Sequence, residues 1–372
     1  MLLKLSVASL MLAWCCPEGA AQTVAPPAVS TRQSLLSLAS PLTVNWQFRS
    51  DEIISITPAT DGKQVYVPTS SGGIVALNAS NGKLVWRESM GGQISAEPIA
   101  DEFAVFIANE VTSKDAPTPQ ATGAIRALSR ESGVTLWMRT LPFPVQGGIA
   151  TDGETVYGAA SDGRVLALNK RSGQPRWIKQ FPARFKSHLT LSGGRVYMGS
   201  EDGTVYALDP SGNVTWRYRT RGAVRGRPAV TEALIAIGSA DGMVYVLDRE
   251  TGKLRWTVRT GAAVQSVTIT GGQVIAASLD NFAYCFSLAK GARIWKRLLE
   301  GRPLAQPAVQ EFLILFNPIS GSAAVVLDTH DGKILNNLPT GEDNNSGASP
   351  VIAGQIVMLT TRDGLLAFSH PQ

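Results

Sequence analysis

The chain has 372 residues, a formal net charge of +5, 44% hydrophobic residues and only three cysteines, so it can bury a sizeable core but cannot be a disulfide-stapled scaffold. Charged residues make up only 17% against 36 glycines, a balance that suits many short strands joined by tight turns. The mild positive charge requires nothing beyond solvation of a large surface.

Residues 1–21 are expected to be a secretory signal. Lys4 precedes the apolar run 5–14, and Gly19-Ala20-Ala21 before Gln22 supplies small residues for cleavage. The run is too short for a membrane span, and no other apolar run approaches spanning length. Cys15 and Cys16 raise a second reading, an acylated lipoprotein, but the bulk of Trp14 just before Cys15 favours simple cleavage after Ala21. Cleavage there leaves Cys285 alone, inside Ala283-Tyr284-Cys285-Phe286, so no internal disulfide can form and packing alone must hold the fold. Residues 22–42, with Pro26-Pro27 and several Ser and Ala, are expected to form a flexible tether.

A repeat organises the remainder, 43–372. Trp46, Trp86, Trp137, Trp177, Trp216, Trp256 and Trp295 follow one another at spacings of 40, 51, 40, 39, 40 and 39 residues, and Asn336 takes the next place 41 residues on. A period near 40 with strand-turn-strand units marks a β-propeller, since helical repeats of that length need apolar residues at 3.6-residue spacing. Within one unit, an inner strand at Ala229-Val230 and a second at 233–238 precede the turn Ala240-Asp241-Gly242. A third strand at 243–247 then leads to the outer strand with Trp256. Asp-Gly favours the positive backbone angles of a tight hairpin, and it recurs at Asp162-Gly163, Asp202-Gly203 and Asp363-Gly364.

The third-strand pattern occurs eight times, at 74–77, 125–128, 165–168, 205–208, 244–247, 283–286, 324–327 and 365–368. No outer-strand pattern follows the last of these, and no blade precedes the strand around Trp46. The expected fold is therefore all-β: an eight-bladed propeller of four-stranded antiparallel blades, closed by the N-terminal strand, which removes exposed sheet edges between first and last blade. The long spacing of 51 has a local cause, an insertion at 110–123 between the second and third strands of its blade.

The segments Leu77-Asn78-Ala79-Ser80-Asn81-Gly82-Lys83-Leu84-Val85-Trp86 and Leu247-Asp248-Arg249-Glu250-Thr251-Gly252-Lys253-Leu254-Arg255-Trp256 resemble the repeat of quinoprotein dehydrogenases. The same repeat builds the BamB family, propeller subunits of the machinery that inserts β-barrels into bacterial outer membranes. Resemblance to the dehydrogenases implies pyrroloquinoline quinone and Ca²⁺. Resemblance to the BamB family implies a non-catalytic periplasmic scaffold at the outer membrane, docked on a protein partner of the barrel-assembly machinery and often lipid-anchored. Fold alone cannot choose between them.

The residues that begin the inner strands favour the scaffold. In approximate register these are Ser95, Gln146, Lys186, Arg225, Gln265, Gln306 and Asn345; such positions point into the central channel, and none is acidic. Ca²⁺ requires several oxygen ligands, usually carboxylates, so neither cofactor nor metal is expected, and no catalytic residue is assigned. His188, His330 and His370 lack metal-ligand spacing, although His188 begins an inner strand and could face the channel.

A candidate partner surface remains. Arg217, Arg219, Arg221, Arg225 and Arg227 fall within eleven residues, and Arg184 and Lys186 occupy the equivalent loop one blade earlier. The resemblance maps a loop arginine of the BamB family onto Arg184, but Phe181 and Ala183 replace neighbouring leucines, and Ala223 and Arg225 stand where the family carries an acidic pair. The expected partner is an acidic protein of the envelope bound by Arg184, Lys186, Arg221, Arg225 and Arg227, with an anionic polysaccharide or lipid head group fitting the charge equally well and membrane association expected only through a partner or an acyl anchor. Nucleic acid is not expected, because the chain is exported and no base-stacking aromatics accompany the arginines.

Overall fold

In the computed structural model of the chain, residues 36–111 and 122–371 are described. The signal segment with Cys15 and Cys16, most of the tether and most of the 110–123 insertion lie outside them. Among the described residues, thirty-two strands form eight sheets of four, every pairing antiparallel. Blades 1 to 7 comprise residues 59–89, 99–141, 145–180, 190–219, 229–259, 264–298 and 308–339, each running from inner to outer strand in chain order. Blade 8 takes its three inner strands from residues 351–369 and its outer strand from Thr43–Arg49, paired from Thr43 opposite Ser369 to Arg49 opposite Gly364. The propeller and its N-terminal closure are as the repeat predicts.

Middle strands carry apolar residues on both sides because each blade is covered by two neighbours. Val-Tyr-Val at 65–67 and Val-Tyr-Ala-Leu at 205–208 are fully or almost fully buried. Outer strands read differently. In all eight blades the register shifts by one residue at the Trp position, as where Ala76 faces Trp86 but Leu77 faces Leu84. Such a bulge re-aims a side chain, here turning each indole toward the next blade.

Each of the seven outer-strand indoles then donates its Nε1–H to a backbone carbonyl in the next blade's last turn, at 2.7–3.0 Å, from Trp46 to Ala79 through Trp295 to Thr329. The ring lies on a glycine of that turn. Gly252 has φ of +68°, and a Cβ there would come within 2.6 Å of the Trp216 ring. Only glycine satisfies both demands.

Blade 8 has no such turn, because its third and outer strands come from opposite ends of the chain. Here Asn336 stands in for tryptophan, and its carboxamide Nδ2 donates to the carbonyls of Leu38 at 3.1 Å and Ser40 at 2.8 Å. Leu36, Leu38 and Leu42 are buried against blades 7 and 8 with Leu338, Leu359 and Phe368. Ser37 N–H donates to His370 Nε2 at 3.2 Å, and Leu38 N–H to Gln310 Oε1 at 3.3 Å. Residues 36–42, expected to belong to the tether, are therefore part of the propeller: they replace the missing turn and supply the carbonyls that Asn336 needs.

Deleting residues through Ala39 should consequently lower the melting temperature, and Leu38→Ala alone should cost roughly 3 kcal/mol by leaving a cavity in the closing joint. Chemical denaturation of the variant reads this directly, and an unchanged midpoint would show that the ring closes without the segment.

Candidate functional site

The propeller axis opens into a polar cavity of about 530 Å³, lined in part by Ser95, Gln146, Arg225, Gln265 and Gln306. Two of the seven positions assigned to the channel do not line it. Asn345 is fully buried between blades 7 and 8, with Nδ2 donating to Pro318 O at 3.0 Å and Ala323 O at 3.3 Å. Lys186 points out to solvent. Along extended chain the same direction recurs every second residue, so Glu97, His188 and Arg227, two places after Ser95, Lys186 and Arg225, enter the cavity as well.

The channel thus contains a carboxylate, contrary to the expectation of none. Glu97 of blade 2 reaches across the axis, with Oε2 3.2 Å from His188 Nε2 and 3.4 Å from an Arg227 guanidinium nitrogen. A hydroxyl of Thr57 supports it on the other side, and Thr57 Oγ1 in turn accepts the Ser349 N–H at 3.1 Å. Blade 3 lies between these partners and yields the space: Gly148 has φ of +82°, and a Cβ on it would stand 3.0 Å from the His188 ring. One side chain thereby ties together the inner loops of blades 1, 2, 4 and 5.

Burial pushes the Glu97 carboxyl up, but the hydrogen bond and charge of His188, with Thr57 and Arg227, outweigh it and hold the group at about 2 against an ordinary 4.5. The carboxylate is therefore engaged by Arg227, His188 and Thr57 rather than offered to a metal. The remaining polar lining is carboxamide and hydroxyl, among apolar residues such as Ile56 and Leu304, with the guanidinium groups of Arg225 and Arg227 beside it. No cluster of three or more His, Cys, Asp or Glu suited to a metal occurs among the described residues. This donor set does not fit Ca²⁺ and its quinone. Cys285 is also unsuited to chemistry, since burial raises its thiol to about 12.

The basic face is less basic than its sequence. Arg225 makes a two-pronged pair with Glu201, at 2.9 Å from Nε and 2.8 Å from the second nitrogen. Arg227 pairs with Glu97 and Arg219 sits 3.6 Å from Asp202. Glu201 is held below its ordinary range chiefly by the Arg225 hydrogen bond, with Lys186 nearby. Arg184, Lys186 and Arg221 are exposed and form no ion pair among the described residues. Arg184 edges an open cleft of about 490 Å³ with Phe181, Asp162, Glu201 and Asp202. Phe181, the one aromatic side chain lining it, packs edge-on against buried Phe185 and Tyr206 with centroids 5.5–5.8 Å apart, which holds it in place.

A depressed carboxyl stabilises the fold above its unfolded value and loses that contribution as pH falls through the folded value. Relative to Glu97→Gln, the wild type should be more stable by on the order of 3 kcal/mol at pH 7. The gap should hold to about pH 5 and close between the two values, 4.5 and about 2. Urea titrations of both proteins across that range test it, and a gap independent of pH would mean Glu97 is not held this way.

The described architecture recurs in solved structures. The crystal structure of BamB from Moraxella catarrhalis superposes with a TM-score of 0.72 at 17% identity, covering 88% of this chain and 99% of that one. Quinohemoprotein alcohol dehydrogenase from Comamonas testosteroni gives 0.68 at 11% identity, covering 88% and 76%. A europium-containing methanol dehydrogenase gives 0.69 at 13% identity, covering 88% and 93%. These likenesses are of fold. No curated protein matches the chain by sequence. The sequence profile of the family described as outer membrane protein assembly factor BamB, however, matches residues 35–117, 121–225 and 201–371, which together span nearly the whole propeller. The chain belongs to that family.

Proposed function

We propose that the protein is an exported, non-catalytic scaffold of the bacterial envelope, periplasmic and associated with the outer membrane, which holds a protein partner of the barrel-assembly machinery on the loops of blades 3 to 5. The observation that carries this reading is the cleft beside Arg184. It combines the aromatic side chain of Phe181, an unpaired guanidinium and ordered carboxylates at its edge, the mixture of anchor and charge that protein interfaces use. Arg184, Lys186 and Arg221 would meet the partner directly. Arg225 and Arg227 would act by fixing Glu201 and Glu97. Membership of the BamB family supports the cellular setting, and the engaged channel carboxylate argues against quinone chemistry.

The test is a charge reversal that leaves the internal pairs alone. Arg184→Glu, Lys186→Glu and Arg221→Glu together should change stability by only about 0.5 kcal/mol per site. Capture of envelope partners from detergent-solubilised membranes should fall at least about tenfold, because a desolvated arginine at an interface centre costs roughly 2 kcal/mol or more. Recovery of the same partners at equal protein level would remove this face from consideration. Titration with pyrroloquinoline quinone and Ca²⁺ should give neither stoichiometric binding nor dye reduction; either result would favour the dehydrogenase reading.

A further inference from the structure

The outer strands are the rim of the propeller, and their charge is unevenly distributed. Those of blades 3 to 6, Pro175–Gln180, Val214–Arg219, Leu254–Arg259 and Arg293–Leu298, carry nine Lys or Arg residues and no Asp or Glu. Those of blades 7, 8, 1 and 2, Ile334–Pro339, Thr43–Arg49, Leu84–Ser89 and Thr135–Leu141, carry three cations and one glutamate. Half the rim thus holds more positive charge than the +5 of the whole chain.

Edge strands are commonly given charges that prevent strand pairing between molecules. That need applies equally to all eight edges, so it does not account for charge on one contiguous half. Internal pairing does not absorb it either. Arg219 and Arg255 have carboxylate partners in Asp202 and Asp248, whereas exposed Arg217, Arg259 and Arg293 have none among the described residues. Between these cations stand aliphatic side chains turned to water: Val214, Leu254, Ile294 and Leu298 are 43–59% exposed, and since Val44, Leu84 and Ile334 are as exposed on the other half, it is their combination with the cations that sets this arc apart.

We infer that the rim of blades 4 to 6 docks directly on an anionic lipid surface. Arginines reach phosphate oxygens bidentately, juxtamembrane cations gain from a negative surface potential, and interleaved aliphatics gain by entering the interfacial layer. An acidic protein would answer the charge, but it would leave an aliphatic stripe spread over three separate strands without a matching core. This contact is independent of the cleft at Arg184, which opens on a face of the disc and not on its rim.

Flotation with vesicles tests it, using the full chain carrying Cys15→Ser and Cys16→Ser so that no acyl anchor contributes. The protein should float with vesicles of equal parts phosphatidylglycerol and phosphatidylcholine and remain behind with phosphatidylcholine alone. Arg217→Glu, Arg259→Glu and Arg293→Glu together should weaken binding at least about tenfold. Arg49→Glu, Lys83→Glu and Arg87→Glu, the same change in net charge on the other half, should weaken it less than about threefold. Val214→Ser, Leu254→Ser and Ile294→Ser should also weaken it several-fold, with circular dichroism reporting that each variant is folded. The inference is overturned if anionic vesicles are not bound or if both charge variants lose binding equally. It is likewise overturned if the aliphatic variant binds as wild type, which would identify a surface for soluble polyanions.

Discussion

The contact on which this protein depends is the one between the tryptophan of seven of its eight outer strands and the glycine turn of the next blade. A four-stranded blade exposes two apolar faces and is not stable alone, so its neighbours decide whether it forms. The indole meets that need twice, filling the wedge where the blades diverge and donating one directed hydrogen bond to the next backbone. Because the acceptor turn closes on a left-handed glycine, as in Asn78 to Gly82 or Asp248 to Gly252, the ring lies directly on backbone. The interaction is directional around the ring, from each blade to the next. Seven tryptophans can therefore complete seven joints, and the eighth must be solved otherwise.

That eighth joint shows where the repeat stops being informative. The period, the Asp-Gly turns and the orphan strand around Trp46 give blade number and closure, because each is a periodic demand that neighbouring units share. Leu36, Leu38 and Leu42 have no such signal. They stand in a serine-rich stretch without alternation, and they are buried only because two chain ends meet there with no turn between them. Asn336 is intelligible in the same terms. Its carboxamide reaches two carbonyls of a separate strand, whereas an indole offers one donor and requires a glycine to lie on. The substitution that looks like decay of the motif in sequence is the form the motif takes at the seam.

Legibility of the candidate site follows the same division. Ser95, Gln146, Gln265 and Gln306 line the channel because inner strands begin at a constant place in each unit. Glu97 belongs to the same alternation, two residues beyond Ser95, and continuing the count by one further position would have found it together with His188 and Arg227. Charge pairing was not legible at all. Glu201 and Asp202 lie in a turn where Asp202 Oδ1 accepts the Thr204 N–H at 3.0 Å, and a turn carboxylate looks fully explained by its turn. Nothing in the spacing of Arg225, 24 residues later, shows that it returns to Glu201 across the joint between blades.

The same economy explains how a single repeat can present surfaces of different character. Closure uses the tryptophan, the turn glycine and the buried middle strands, and these positions vary little from blade to blade. Residues flanking the tryptophan on its outer strand take no part in the joint and face solvent, so Arg217, Thr257, Lys296, Asn337, Gln47, Arg87 and Met138 occupy equivalent places without affecting the ring. Inner-strand starts are likewise free once the channel is filled, which permits a glycine pair in blade 3 to make room for a histidine from blade 4. The fold therefore separates what must repeat from what may differ. A cation at a repeating position would be copied around the whole ring, while cations at free positions can accumulate on one arc. That they do so on blades 3 to 6, where the fold neither requires nor opposes it, is the reason to assign that arc to something outside the molecule.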